Sequence, residues 1–335
     1  MSTQKTALVL GATGNYGSHA VQALLKHGWR VRALARNPAA AAAKAGQRTP
    51  IEWIKGDAMN EADVAGAARG ASVIVHAVNP PAYKNWPGLV LPMIRATIAA
   101  AKAEGARIVV PGNVYNYAPD AGPAIGEAAP QAPVTRKGKI RVEMEELLRA
   151  ASADGAKVLI VRAGDFFSGL GWLTTRSKGR VRAMYRAGPA DVGHLWAYLP
   201  DMAEATAQLL DREADLAAFE VFNFRGHWLE PSEAMVAAVR RVTGQAKLPV
   251  HGFPWLLVYA LAPFVELFRE LAEMRYLQQK PIGLDNEKLV AFLGAEPHTP
   301  LDTAVRAALE ELGVSVDPAP AASEAWPLRG AATAH

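Results

Sequence analysis

Short apolar runs alternate along the first half of the chain with longer segments whose apolar positions recur at helical spacing. The runs read as buried strands at residues 8–10, 29–36, 51–57, 71–78, 106–110 and 156–162. Between them, residues 18–27, an Ala-rich stretch opened by Pro38, and residues 60–69, 89–104 and 139–153 read as helices. Strands alternating with helices predict a parallel sheet covered on both faces. With right-handed crossovers this is an α/β fold, a Rossmann-type doubly wound parallel sheet.

The second half is less regular. Residues 166–200 are rich in glycine and aromatics and read as a long excursion. Asp201 is expected to cap a helix running to about residue 210, and residues 219–224 to form a strand returning to the main sheet. From residue 230 helices dominate, at 231–243, 255–277, 285–293 and 301–312. The expected organisation is a dinucleotide-binding domain over 1–165, with 190–225 returning to it. A smaller, mainly helical lobe then takes 166–189 and 226–313, and 314–335 form a loose Ala/Pro-rich tail.

Gly11, Gly14 and Gly17 stand where the first strand passes into the first helix. The first turn of a helix offers unpaired N–H groups and the positive end of its dipole to a phosphate. Gly11 suits the tight turn, Gly14 lets a pyrophosphate approach the backbone, and Gly17 lets the helix pack closely on the strand. Thr13, Asn15 and Tyr16 fill the same turn. Arg36 ends the second strand, where an acid would hold the ribose 2′-hydroxyl of NAD. A guanidinium matches a 2′-phosphate instead, so NADP(H) is expected over NAD(H). Asp57, after the third strand, either accepts from the adenine amino group or caps the next turn. The loop of residues 76–81, with Ala77 at its start, is expected to pass over the cofactor. His76 is read as a packed strand-end residue.

Composition excludes more than it assigns. The 335 residues are ample for one large domain and a lobe. The net charge of +4 is small and scattered, so nucleic-acid binding is not expected. There is no cysteine, which excludes disulfides, thiolate metal sites and cysteine nucleophiles. No pair of histidines sits at metal-binding spacing with an acid, so no metal is expected. The N-terminal residues lead directly into a strand without a signal-peptide pattern, and a cytoplasmic protein is expected. Residues 253–265 are uncharged and apolar. Pro263 and Glu266 interrupt them before a full span, leaving a buried or interfacial helix, with membrane contact through 253–268 as the alternative. A homodimer is also left open.

The sequence resembles the extended or atypical short-chain dehydrogenase/reductase superfamily, in its NAD-dependent epimerase/dehydratase branch. The resemblance rests on residues 11–17 (GATGNYG), Gly56-Asp57, Val114-Tyr115, residues 139–143 (KIRVE), 162–167 (RAGDFF) and 198–201 (YLPD), and extends to about Gly313. It implies a catalytic Ser or Thr with a Tyr-x-x-x-Lys pair. Lys139 matches the lysine, which in the family holds the ribose and lowers the tyrosine pKa. Thr135 stands at the tyrosine position, and residues 111–113 (PGN) replace the serine. A threonine hydroxyl is too weak an acid to substitute without strong activation.

Three readings follow. Tyr115 or Tyr117 reaches the nicotinamide and acts with Lys139. Or Arg136, Lys137 and Lys139 stabilise an oxyanion while water supplies the proton. Or the protein binds the dinucleotide as a non-catalytic sensor. Asp165, with Phe166 and Phe167 as pocket walls, and His194 are expected near the nicotinamide and substrate cleft. The substrate is expected to be a carbonyl/alcohol or sugar-like small molecule. Trp228, Phe253, Trp255, Tyr259 and Phe264 hint at an apolar one.

Overall fold

The computed structural model describes residues 5–46, 49–80, 85–167 and 170–316. The first half is β1 (Thr6–Leu10), α1 (Asn15–Lys26), β2 (Arg30–Ala35), α2 (Pro38–Ala45), β3 (Ile51–Lys55), α3 (Glu61–Ala68), β4 (Val73–His76), α4 (Trp86–Glu104), β5 (Arg107–Asn113), α5 (Arg136–Ala153) and β6 (Lys157–Ala163). The excursion follows as β7 (Asp165–Phe166), α6 (Leu170–Leu173), β8 (Thr174–Ser177), β9 (Arg180–Arg186) and β10 (His194–Ala197). Then come α7 (Leu199–Asp211), β11 (Phe219–Asn223), β12 (His227–Leu229), α8 (Glu233–Val242) and β13 (Val250–Gly252). The chain continues through α9 (Trp255–Leu261), α10 (Glu266–Glu273), α11 (Glu287–Leu293) and α12 (Leu301–Glu311).

Seven parallel strands form the main sheet in the order β11-β6-β5-β4-β1-β2-β3. The order reverses between β1 and β4, and that switch point opens a crevice beyond the carboxyl ends of the strands. β1 is buried along its whole length because helices cover both sides of it. One face packs against α1 and α7, where Tyr16, Ala20, Leu24, Met202, Leu209 and Phe222 join one core. The other face packs against α3, α4 and α5 through Val64, Ile94, Ile108, Met144 and Leu148. β11 returns to the sheet edge beside β6, as the alternation predicts.

Several expectations are corrected in detail. α1 starts at Asn15 rather than at residue 18, because Gly14 is its N-cap. Asp201 does not cap α7; Tyr198 does. The Asp201 carboxylate instead accepts from the Thr299 amide at 2.6 Å and the Thr299 hydroxyl at 2.7 Å, tying the last helices to the sheet. The excursion holds two small three-stranded sheets, β12-β10-β7 and β13-β9-β8. The helix expected over 255–277 is broken into α9, α10 and a short 3-10 turn. Pro263 lacks an N–H and its ring collides with the preceding turn. The tail does not begin at 314. Val314 is buried and Ser315 donates to the Gly179 carbonyl at 2.7 Å; the rest of the expected tail, 317–335, lies outside the described residues.

α5 is locked to β6 by a buried charge network. Arg162 bonds both oxygens of Glu145, at 3.2 and 2.5 Å, and donates to the Tyr117 hydroxyl at 2.8 Å. Asn116 and Gln131 donate to the same carboxylate at 2.9 and 2.7 Å. Removing one partner of such a pair leaves a buried charge uncompensated. Glu145→Ala should therefore cost about 3–5 kcal/mol of stability, read as a lower denaturant midpoint in equilibrium unfolding; an unchanged midpoint would contradict the network's role.

Candidate functional site

The turn after β1 is built by backbone crowding. Gly11 has a φ of 85°, and a Cβ there would stand 2.6 Å from the Ala77 carbonyl oxygen. Only glycine takes that conformation and that contact without strain. A Cβ at Gly17 would stand 2.1 Å from the Gly11 carbonyl oxygen. Gly14 is different: it is exposed, and a Cβ there would meet only the Gly11 oxygen, at 3.2 Å. So two glycines let β1, α1 and the loop after β4 close on one another, and the third leaves room for a ligand. The first turn of α1 has no acidic side chain to compete with an anion.

Thr13 and Asn15 lie in this turn, and the Thr13 carbonyl accepts from Lys44 Nζ at 2.8 Å. The Tyr16 side chain turns away into the core. Its hydroxyl pairs with Thr206 at 2.8 Å, and burial pushes its pKa up to about 12. What Tyr16 presents to the crevice is main chain only. Arg36 is exposed just past the end of β2, while Asn37 caps α2 by accepting from the Ala40 amide. Arg32, two registers back on the same strand, is neutralised by Glu52 at 3.1 Å. Asp57 uses one carboxylate oxygen as a turn cap for the Met59 amide, at 3.0 Å. Ala77 closes over Gly11 and donates to the Leu10 carbonyl at 2.9 Å. His76 is a packed strand-end residue, bonded to Thr97 at 2.8 Å and held neutral, its pKa driven by burial to about 3.

The groups expected to carry chemistry separate into different roles. Thr135 is the N-cap of α5: its hydroxyl oxygen accepts from the Gly138 amide at 3.0 Å. A serine, threonine or asparagine supplies the side-chain acceptor that a helix start calls for; a tyrosine can stand at an N-cap, as Tyr198 does at α7, but makes no such bond there. Tyr117 does not face the crevice. It is fully buried on Arg162, with its pKa pushed up to about 12 chiefly by burial. Tyr115 is half-buried between the sheet core and the cluster around Leu277 and Ile282. Arg136 and Lys137 are not available to an oxyanion. Arg136 bonds Glu270 at 2.6 Å, and buried Lys137 bonds the other oxygen of Glu270 at 2.8 Å, with Glu273 beside both. Lys139 is exposed, as Arg136 is, but has no ion pair among the described residues.

At the far side of the crevice the structure assembles a group that sequence reasoning scattered. Ala163 pairs in register with Asn113 at the ends of β6 and β5, so Asp165 lies just beyond the strand ends. Its Oδ2 is 3.0 Å from His194 Nε2 and 2.7 Å from Gln278 Nε2. His194 and Gln278 also line a cavity of about 40 Å3 walled by Leu173, Met184, Trp196 and Met235. Phe166 is half-buried as a wall residue would be. Phe167 is a core residue, edge-on to Trp196 at 6.1 Å and Tyr198 at 5.4 Å. Gln278 and Lys44 carry no motif; each arrives from a distant segment, and only the tertiary fold shows its contact.

This architecture, a parallel sheet with its order reversed over a glycine turn, defines a dinucleotide-binding protein of the doubly wound class. The chain belongs to the NAD(P)H-binding family, whose model matches residues 11–213. No curated protein matches it in sequence. Among solved structures it is similar to a candidate epimerase from Burkholderia cenocepacia J2315, at 19% identity and a TM-score of 0.71, covering 92% of this chain and 98% of that one. It is similar to UDP-glucose 4-epimerase from Bifidobacterium longum in complex with NAD+ and UDP, at 15% identity and a TM-score of 0.70, covering 91% and 97%. It is also similar to a short-chain dehydrogenase/reductase superfamily protein from Agrobacterium tumefaciens with bound NAD, at 18% and 0.67, covering 91% and 96%. At these identities the likeness is one of fold, and that fold is the one the motifs imply.

The crowding around Gly17 gives a direct test. Gly17→Ala should lower NAD(P)H affinity by about tenfold or more, because α1 would be pushed away from the Gly11 turn, where a pyrophosphate is expected. Fluorescence titration of NADPH would measure it; wild-type affinity in the variant would contradict the assignment of the turn.

Proposed function

We propose that the protein is an NADP(H)-dependent oxidoreductase acting on a small carbonyl or alcohol substrate, with an altered proton-handling group. The observation that carries the cofactor half is the basic edge of the glycine turn. Arg36 stands where NAD-binding folds of this class place an acid, and Lys44 reaches the turn itself. A 2′-phosphate brings charge that two such cations would stabilise. When bound, the cofactor supplies hydride chemistry; Gly11 to Gly17 would hold its pyrophosphate and exposed Lys139 its nicotinamide ribose.

The proton half rests on Asp165 and His194. A carboxylate bonded to one ring nitrogen fixes the tautomer and orientation of a histidine, which is the arrangement a general acid or base needs. Thr135 serves as a helix cap and cannot take the tyrosine's part, so His194 would exchange the proton with a substrate oxygen. The small cavity beside it is lined mostly by apolar side chains, which suits an apolar group next to the reacting oxygen better than a sugar hydroxyl. The same replacement of tyrosine by Thr135 favours a second reading, a dinucleotide sensor that turns nothing over.

Titration with NADPH and NADH should show at least a several-fold preference for NADPH, lost in Arg36→Asp; an unchanged ratio refutes the cofactor assignment. Consumption of NADPH against a panel of apolar aldehydes and ketones should fall roughly a hundredfold or more in His194→Asn, with cofactor affinity retained. Cofactor binding without consumption across the whole panel would leave the sensor reading standing.

A further inference from the structure

The strand of structure between β13 and residue 278 is amphipathic in the wrong sense for a surface element. Its acids are engaged inward, and while Val258 and Leu277 are buried, several of its large apolar side chains are exposed. Glu270 is buried on Lys137 and Arg136, Glu273 lies behind it, and Glu266 accepts from the Asn85 amide. Outside, Leu256 is 88% exposed and Phe264 84%, with Leu257, Tyr259, Val265 and Leu267 exposed beside them. These side chains occupy α9, the start of α10 and the Pro263 turn between them, so they form one protruding surface rather than scattered positions. Exposed apolar clusters of this kind mark interaction sites.

The charge at the rim indicates what covers it. Arg275 is held 5.0 Å over the Trp255 ring and 5.4 Å over the Tyr259 ring, and donates to the Tyr259 hydroxyl at 3.0 Å. No carboxylate pairs with it among the described residues. Arg269 is half exposed and Lys280 exposed on the same border. With its acids consumed inside, the hairpin shows solvent an uncharged apolar tip bordered by aromatic rings and cations. That pattern complements the headgroup and acyl boundary of an anionic membrane. A second copy docked by two-fold symmetry would bring the same arginines together. No helix among the described residues is long and apolar enough to cross a membrane.

We infer that α9 and α10 form a docking hairpin for an anionic lipid surface, with Leu256, Leu257 and Phe264 entering the interface and Arg275 and Arg269 meeting phosphate groups. Docking there does not depend on the chemistry at His194. It does set the cavity's orientation. Trp255 donates to the Ala187 carbonyl at 2.7 Å, and Phe253 to the Arg186 carbonyl at 2.9 Å, both residues being part of the cavity lining.

The test is flotation of the full chain with phosphatidylcholine vesicles, with and without phosphatidylglycerol. Wild type should float with the anionic vesicles. The double variant Leu256→Glu/Phe264→Glu should lose about tenfold of the bound fraction, and Arg275→Gln should weaken binding to anionic vesicles more than to neutral ones. Both positions of the double variant are exposed, so its thermal midpoint should match wild type. Absence of flotation, or equal flotation of wild type and the double variant, overturns the inference. So does a wild-type dimer in light scattering that the double variant disperses without any vesicle binding, which would assign the surface to a second copy.

Discussion

The contact between the Gly11 and Gly17 backbones, closed over by Ala77, is the constraint on which the rest of the crevice depends. α1 can start at Asn15 only because its first turn sits on the Gly11 carbonyl without a Cβ between them. That start brings the helix N-terminus to the sheet's switch point and turns Tyr16 inward onto Thr206 of α7. α7 in turn carries Asp201, which holds Thr299 and with it the chain leading into α12.

The main sheet was legible in the sequence because its signal is local. A strand covered on both faces carries an apolar run, as β1, β4, β5 and β6 each do, while β2 alternates Arg30 and Arg32 with buried Val31 and Ala33. The turn after β1 was legible for a related reason: close backbone approach demands glycine, and Gly11 and Gly17 stand where a Cβ would meet backbone. The lobe was not legible to the same degree. The strands β7 to β10 are two to seven residues long, and apart from the local β8–β9 hairpin their pairing is decided by partners elsewhere in the chain. Asp165, His194 and Gln278 come together across 113 residues of sequence separation, and no spacing rule brings them to one carboxylate.

The catalytic candidates show how the same residue type can be read two ways. Tyr115 and Tyr117 both follow β5, which lets both face the crevice on the sequence alone. A short 3-10 turn at Val114–Asn116 changes the register, and Arg162 captures Tyr117 in the core. Arg136 and Lys137 looked like free cations because their partners, Glu270 and Glu273, lie more than 130 residues away. Charge counts along a chain cannot reveal such pairing; burial can, since a lysine as enclosed as Lys137 requires an acid beside it.

That pairing explains the shape of the C-terminal hairpin. Burying Lys137 at the start of α5 requires a carboxylate, and α10 supplies it from the face that would otherwise meet water. The Glu273 carboxylate also accepts from the Arg136 amide, at the positive end of the α5 dipole, which favours an acid there. Glu266, Glu270 and Glu273 recur at helical spacing on the face of α10 that meets the fold, and Leu267 with Phe264 and Val265 just before the helix are left exposed. The apolar surface is therefore coupled to the ion pair beneath it. A chain selected only for solubility would carry polar residues at 256, 257 and 264, positions whose exposure makes such changes nearly free of cost to the fold. Leucine and phenylalanine at these positions place the reason for them outside the folded chain itself.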